Sequence, residues 1–276
     1  MFAVRVEEHD GTHRVQVLEP AAADWLERLA AEYRALRTAT AVPLDLLKGL
    51  EMDVAQIRKR LVEVSVPTRT TSTLPQLAVE RSDFGELAMA VAGVQFQAYV
   101  YGYRSIRDRE LVHLPGRGID QIGVREVIED GRSVVYLSLG EAKVSSQAAS
   151  PPGVVATGTD SLHVQHTDHI TDRAVTSGKL WEAARKTVDP AAARLMFSAA
   201  WLWDEDEDGR LIVRCTSMLV RPSHGAIADA GPFRTAPSDY EPGEVDFMVL
   251  RVDTDDIEAL VDDFLTAART RPEDAA

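Results

Sequence analysis

The stretch "VVYLSLGEAKVSS", residues 134–146, decides the fold. Its first half is the apolar run of a buried strand, and the run ends by placing Glu141 and Lys143 two residues apart. Successive side chains of a strand point to opposite faces, so positions two apart share a face. Glu141 and Lys143 are therefore expected to project together, beyond Leu137 and Leu139 on the same face.

A hairpin is predicted around this strand. Residues 116–128, "GRGIDQIGVREVI", and residues 133–144 read as two strands, and "EDGR" at 129–132 is an Asp-Gly turn between them. Asp120 lies in the first strand segment. If the two strands pair as the turn suggests, Asp120 lies near Glu141 in space.

Two carboxylates that meet where a strand pair opens form a hard oxygen site, which suits Mg²⁺ or Mn²⁺. We therefore expect Asp120 and Glu141 to bind the metal, with the backbone carbonyl of Ala142 as a further ligand. Lys143 would orient or help deprotonate an attacking water and offset charge in a phosphoryl transition state. The simpler alternative is an exposed Glu141–Lys143 ion pair and an Asp120 that merely ends a strand.

A third acid, Glu86, is expected in the first turn of a buried helix. The segment 82–103, "SDFGELAMAVAGVQFQAYVYGY", is almost wholly apolar after an N-cap candidate in Ser82 or Asp83. The N-terminal end of a helix dipole tolerates a carboxylate. Glu86 would hold a second metal or assist at the first, and otherwise it is an ordinary helix N-terminal carboxylate.

The N-terminal part of the chain is predicted as a small α/β subdomain, residues 1–75. The polar stretch "TRTTSTLPQ" at 68–76 is taken as its boundary. Its expected elements are two strands around an Asp-Gly turn, two helices and a strand, at 2–20, 20–37, 43–61 and 62–67.

Residues 76–276 are predicted as the larger domain, with an acidic hairpin and a helix at its C-terminal end. The hairpin is expected from "RLMFSAAWLW" (194–203) and "RLIVRCTSMLV" (210–220) around the acidic run 204–208. The other expected elements are helical structure in 161–187, a strand and a closing helix, the last two at 246–253 and 254–271.

The composition limits the class of protein. With 276 residues, 45% of them hydrophobic, the chain buries a sizeable core. The single cysteine, Cys215, excludes an internal disulfide framework and a zinc site built on several thiolates, and fits a reducing compartment. No apolar run approaches the roughly 20 residues of a membrane span. We expect a cytoplasmic protein that does not bind membranes.

The negative charge is unevenly distributed. The net charge is −14, and the segment from residue 204 to the end holds 18 acidic and 7 basic residues. The earlier part of the chain is close to neutral. An isolated chain of this kind is expected to bind DNA weakly, so a partner would supply the affinity.

The arrangement of an acid on a helix, an aspartate and then Glu-x-Lys on consecutive strands resembles the PD-(D/E)xK nuclease superfamily. The stretches "RSDFGEL" (81–87), "GRGIDQIG" (116–123) and "LGEAKVSS" (139–146) also resemble the HamA family, the nuclease subunits of the Hachiman anti-phage defence system. That resemblance implies a restriction-endonuclease-like core and a Mg²⁺- or Mn²⁺-dependent DNase controlled by a HamB-like helicase. The functional residues it implies are Glu86, Asp120, Glu141 and Lys143.

One feature departs from some relatives of that superfamily. Several branches carry Gln-x-x-x-Tyr on the helix after the catalytic strand, whereas here Gln165 is followed four positions later by His169. This departure puts a RecB-like exonuclease in doubt without affecting the predicted metal site.

Two alternatives stay open from the sequence. One is a non-catalytic subunit that keeps the nuclease fold to bind a helicase or nucleic acid. The other is a metallohydrolase centred on the cluster His163, His166, Asp168 and His169 in "LHVQHTDH". It would need His163 and His166, rather than Asp120, for activity and would bind zinc tightly. At intervals of three the histidines drift around a helix, so a dedicated metal site there is the weaker interpretation.

Overall fold

The computed structural model of the chain describes residues 1–40, 44–47, 53–68, 74–108, 118–206 and 208–270. In these residues seven strands form one sheet. The strands are β1 (Phe2–Asp10), β2 (His13–Pro20), β3 (Val100–Arg104), β4 (Gln121–Glu129), β5 (Arg132–Val144), β6 (Leu211–Arg221) and β7 (Glu244–Arg251).

Helices cover both faces of the sheet. Those of eight residues or more are α1 (Trp25–Arg37), α2 (Val54–Ser65), α3 (Leu74–Gln97), α6 (Leu162–Thr171), α7 (Arg173–Lys186), α8 (Pro190–Glu205) and α10 (Ile257–Arg269). Single turns of helix are α4 (Ser105–Asp108), α5 (Gly153–Ala156) and α9 (Pro232–Thr235), and 3₁₀ turns occupy Leu44–Leu47, Ile227–Ala230 and Pro237–Tyr240.

The sheet is mixed, in the order β1-β2-β7-β6-β5-β4-β3. Its four central strands, β2, β7, β6 and β5, run parallel. The β1–β2 and β4–β5 hairpins, together with β3, add antiparallel edges on either side. The predicted mixed central sheet flanked by helices is therefore confirmed, as is the hairpin that contains residues 134–146.

Two hydrophobic layers sandwich the sheet. On one face, α1, α3 and α10 pack over Ala142, Met218 and Met248. On the other face, α7 and α8 pack over Leu137 and Leu139 of β5. The alternation along β5 thus sends Ala142 toward α3, and Glu141 and Lys143 toward the opposite face.

Two glycines bring α3 close to β5. A Cβ built on Gly85 would lie 3.2 Å from Val144 Cγ2, and one on Gly140 would lie 2.9 Å from Met89 Cε. Larger residues at these positions would push the helix away from the strand. The close approach places the middle of α3 over the carboxyl end of β5.

The predicted acidic hairpin at 194–220 is wrong, because residues 194–203 belong to α8. The side chain of Asp189 caps this helix by accepting from Ala192 N, and Pro190 fits its first turn. The buried side chains of α8 then recur at helical spacing, namely Ala192, Met196, Ala199, Ala200 and Trp203. The apolar run of small residues is a helix face rather than a buried strand.

Two further boundaries differ from expectation. Helix α2 continues to Ser65, so residues 62–65 are helical rather than a strand, and residues 48–52 of the predicted second helix lie outside the described residues. Helix α3 begins at Leu74, eight residues before the predicted cap at Ser82. Polar side chains at 80–83 were mistaken for a helix start because they interrupt the apolar pattern.

The N-terminal segment shares the sheet and the core of the rest of the chain. Strand β2 pairs with β7 in parallel, and the aromatic ring of Tyr33 in α1 packs against Phe264 of α10. The Tyr33 hydroxyl also lies 2.5 Å from Asp83 Oδ2 in α3. The strands predicted in residues 2–20 are confirmed, and they extend the central sheet.

A buried arginine holds the segment that follows β5. Arg221, at the end of β6, is fully buried and pairs with Asp229 at 3.0 Å. Its guanidinium also donates to the carbonyl oxygens of Ser145, Gln147 and Ala149. The chain immediately beyond Lys143 is therefore fixed to the sheet.

Replacing Arg221 by methionine is expected to lower the free energy of unfolding by about 3–5 kcal/mol, because Asp229 would be left buried without its counter-ion. Urea unfolding of Arg221→Met checks this, with Arg132→Met, an exposed arginine in the β4–β5 hairpin, as the matched control. A loss below about 1 kcal/mol would contradict this account of Arg221.

Candidate active site

The candidate site lies where β4 and β5 separate. The last residue pair of their ladder is Gln121–Gly140, and Asp120 comes immediately before β4. Beyond that pair, the backbone N–H of Ala142 donates to Asp120 Oδ2 at 3.0 Å. The Asp120 carboxyl group is also close enough to Glu141 for the charge of Glu141 to raise the pKa of Asp120. The structure therefore brings the two acids together as predicted.

Both carboxyl groups are poor acids in this setting. Burial raises the pKa of Glu141 to about 8, and the Lys143 ammonium opposes this shift. Burial and then the charge of Glu141 raise the pKa of Asp120 well above its usual range. Without a cation the pair therefore retains a proton at neutral pH, which a bound positive charge would displace.

Glu86 faces this pair from α3. Ser82 Oγ donates to Glu86 Oε1 at 2.8 Å, and Ser105 Oγ donates to Oε2. Burial, followed by the charges of Asp120 and Asp83, raises the pKa of Glu86 well above its usual range. The expected placement of Glu86 in a first helical turn is wrong, because α3 begins twelve residues earlier. The two hydroxyl groups, rather than the helix dipole, accommodate its carboxyl group.

Lys143 is held by an acid outside the carboxylate pair. Its Nζ lies 3.0 Å from Oδ2 of Asp160, in the segment before α6. The other oxygen of Asp160 accepts from Gln165 Nε2 at 3.0 Å. The Asp160 side chain is 83% exposed, whereas that of Lys143 is 18% exposed. The Lys143 ammonium therefore lies between the buried carboxylate pair and solvent.

The histidines of α6 have three different partners. His169 Nε2 lies 2.7 Å from Glu141 Oε1, His166 Nε2 lies 2.9 Å from Ser217 Oγ, and His163 Nδ1 lies 2.8 Å from the Tyr240 hydroxyl. Burial lowers the pKa of His169 to about 4, so its imidazole is neutral near pH 7. The geometry disperses the histidines and joins His169 to the carboxylate pair.

Sequence reasoning missed the contact between His169 and Glu141. The available signal was the position of His169 four residues after Gln165, where several branches of the PD-(D/E)xK superfamily carry tyrosine. On α6 both residues turn toward the site, Gln165 through Asp160 and His169 through Glu141.

A second lysine approaches the site from α7. Gly118 has φ +88, and a Cβ there would lie 2.1 Å from Lys179 Nζ. The Lys179 ammonium therefore rests against the backbone two residues before Asp120. Its charge adds to burial in lowering the pKa of His169. Nothing in the sequence pattern pointed to Lys179, because helix α7 comes near the site only through tertiary packing.

The donor set is compatible with a hard divalent cation. Glu141 Oε2 is buried and has no hydrogen-bond partner among the described residues, and the other predicted ligands, from Asp120, Ala142 and Glu86, are also oxygen atoms. The Ala142 carbonyl lies on the same strand edge as its N–H, which already binds Asp120. The described parts of the chain contain no group of three or more His, Cys, Asp or Glu side chains arranged closely enough to hold a metal ion. Ligation by Asp120, Glu141, Ala142 and Glu86 stays a prediction.

No protein-family model matches this sequence, and no curated protein is significantly similar to it. The functional inference therefore rests on the fold, the site and the motif resemblance. Among the residues that the structure describes, no helix is both long and apolar enough to cross a membrane.

The raised pKa of Glu141 predicts a pH-dependent cost in stability. From its ordinary pKa of 4.5 up to about 8, the folded protein keeps a proton that the unfolded chain loses. The free energy of unfolding therefore falls as the pH rises through this window. Glu141→Gln should remove the cost, and should stabilise the metal-free protein at pH 8 by at most roughly 5 kcal/mol.

Urea unfolding in EDTA at pH 5 and pH 8 measures this effect. Glu129→Gln, at an exposed position of the same hairpin, is the control and should change stability equally at both pH values. An equal effect of Glu141→Gln at the two pH values would show that the carboxyl group titrates normally.

Proposed function

We propose that this chain is a metal-dependent nuclease of the PD-(D/E)xK type that hydrolyses DNA phosphodiester bonds. The observation that carries the proposal is the Asp120–Glu141 pair at the point where β4 and β5 separate, with Lys143 two residues farther along the same strand face. Paired carboxylates beside a lysine suit chemistry on a phosphodiester. The mixed sheet with α3 across one face is compatible with the proposed core.

Each residue has a role that follows from its place. Asp120, Glu141 and the Ala142 carbonyl would hold Mg²⁺ or Mn²⁺, with Glu86 as the assisting acid. When bound, the cation would activate the attacking water and polarise the phosphoryl oxygens. Lys143 would position that water and offset the charge that develops on the phosphoryl group.

Groups around the carboxylates support this assignment. His169 is neutral and its Nε2 lies 2.7 Å from Glu141 Oε1, so the imidazole would orient that carboxylate without adding charge. The Lys179 ammonium beside Gly118 adds positive charge at the approach to Asp120. A phosphate arriving at the acids would therefore meet cationic side chains from both β5 and α7.

The biological setting is proposed from the motifs. The stretches at 81–87, 116–123 and 139–146 resemble the HamA family, which favours DNA as substrate and a role in anti-phage defence. With a net charge of −14, the chain alone should bind polyanions weakly. A HamB-like helicase would then deliver DNA to the site and control cleavage.

Cleavage of supercoiled plasmid tests the proposal. Wild type, Glu141→Ala and Lys143→Ala are compared in Mg²⁺, Mn²⁺ and EDTA, each with and without a co-expressed helicase. We expect cleavage that requires the metal and falls at least about 100-fold in both variants. Glu129→Ala, in the same hairpin but away from the site, should retain wild-type activity.

The same experiment decides between the proposal and a non-catalytic subunit. Equal behaviour of wild type and both variants in every condition, including with the helicase, would contradict catalysis by this site. Retained helicase or nucleic-acid binding in that case would favour the non-catalytic alternative.

Removing the Lys143–Asp160 ion pair is expected to increase nuclease activity modestly. A substrate phosphate must compete with the Asp160 carboxylate for the Lys143 ammonium, and an exposed pair of this kind is worth at most about 1 kcal/mol. Asp160→Asn should raise kcat/KM by no more than about fivefold. Asp168→Asn, an exposed acid on α6, is the control. A large loss of activity would instead show that Asp160 positions Lys143 for catalysis.

A further inference from the structure

A second polar cluster lies on the opposite face of the sheet, where α3 ends at Gln97. The register places Arg125 beside Tyr136, and Arg14 beside Asp246, on the side of the sheet that α3 covers. The strand alternation that sends Glu141 to the other face separates this cluster from the candidate active site. We call Arg125, Arg214, Tyr99 and Tyr136 the Arg–Tyr cluster.

Arg214 of the cluster and the neighbouring Arg14 are each already paired with a carboxylate. Arg14 Nη2 lies 2.8 Å from Asp246 Oδ1, and Arg214 Nε lies 3.0 Å from Glu244 Oε2. The side-chain amide of Gln97 links the two pairs, since it donates to Asp246 Oδ2 and accepts from Arg214. These four charged side chains and Gln97 are therefore hydrogen-bonded to one another and partly buried.

Arg125 has no such partner. Its guanidinium carbon lies 4.1 Å from the centroid of the Tyr136 ring and 5.8 Å from that of Tyr99. Among the described residues no carboxylate lies within ion-pair distance of Arg125, and its Nε is buried without a hydrogen-bond partner. The nearby Glu129 carboxylate accepts from the Tyr136 hydroxyl at 2.9 Å. One guanidinium of the cluster is therefore uncompensated.

Tyr99 supplies an unused donor at the same place. Its side chain is 2% exposed, and its hydroxyl has no hydrogen-bond partner in the described part of the chain. Burial raises the pKa of Tyr99, so the hydroxyl keeps its proton, while the charges of Asp246, Arg214, Arg125 and Arg14 all act on it. The hydroxyl lies among three guanidinium groups and the Asp246 carboxylate, which is already paired with Arg14, and a buried O–H group without a partner needs an acceptor.

We propose that the Arg–Tyr cluster binds a phosphate group, either of a nucleotide or of a polynucleotide backbone. A phosphate offers several acceptor oxygens for the free Arg125 N–H groups and the Tyr99 hydroxyl, and its charge compensates the unpaired guanidinium. The stack of Arg125 on Tyr136 fixes the guanidinium plane before the ligand arrives. This site does not depend on the proposed nuclease activity.

The test is thermal unfolding of the full chain in EDTA, titrated with inorganic phosphate against sodium chloride of equal ionic strength. Wild type should show a saturable rise in Tm with phosphate. Arg125→Gln and Tyr99→Phe should each weaken the binding of phosphate at least tenfold. Arg132→Gln, which changes an exposed arginine of the same hairpin, should leave phosphate binding unchanged. Glu141→Gln should also keep the rise in Tm with phosphate. Failure of the nuclease proposal would therefore not change the outcome of this test.

Two further arms complete the experiment. A nucleoside monophosphate and a short single-stranded oligonucleotide are each titrated calorimetrically into the folded wild type and Arg125→Lys. The ligand that binds wild type more tightly identifies the source of the phosphate. The proposal is overturned if phosphate gives no more stabilisation than chloride, or if the folded Arg125 variants bind phosphate as well as wild type.

Discussion

The hydrogen bond from the Ala142 N–H to Asp120 Oδ2 determines the arrangement of the candidate site. It forms where the β4–β5 ladder stops, so a backbone donor that would otherwise pair with β4 binds a carboxylate instead. Asp120 is thereby fixed beside the buried Glu141, whose charge adds to burial in raising the pKa of Asp120. The Lys143 ammonium offsets part of the cost of burying the Glu141 carboxylate, and His169 Nε2 lies within hydrogen-bond distance of Glu141 Oε1. The close approach of α3 through Gly85 then brings Glu86 within electrostatic reach.

The parts predictable from sequence are those encoded by local pattern. The Asp-Gly turn and the alternating residues of 121–144 specify a hairpin, and its register alone places Asp120 near Glu141. The β1–β2 hairpin, β7 and α10 followed from the same short-range rules, whereas residues 100–103, predicted within the apolar helix segment, belong to strand β3. The segment at 194–203 failed because a run of small apolar residues suits a helix face and a strand equally well, and the deciding signals were the Asp189 cap and Pro190.

The rest of the site depends on tertiary packing. His169, Lys179 and Asp160 reach the candidate site because α6, the segment before it and α7 lie on the face of the sheet that carries Glu141. No local spacing in the sequence encodes that packing. The start of α3 was predicted eight residues too late for a related reason. Asp83 is buried with a long-range partner, Tyr33, and Ser82 donates to Glu86 within the same helix, so neither residue caps the helix. These residues are polar but buried, so their positions cannot be predicted from the local alternation of apolar and polar residues. Functional residues often break that alternation in this way.

The central claim, that Asp120 and Glu141 form a cation site, is tested most directly by calorimetric titration of Mn²⁺ into the purified chain at pH 7. Two buffers of different ionisation enthalpy report the protons released. The account predicts saturable binding with release of about one proton from the carboxyl pair, and loss of both signals in Asp120→Asn. Absence of saturable binding, or equal binding and proton release in Asp120→Asn, would contradict it.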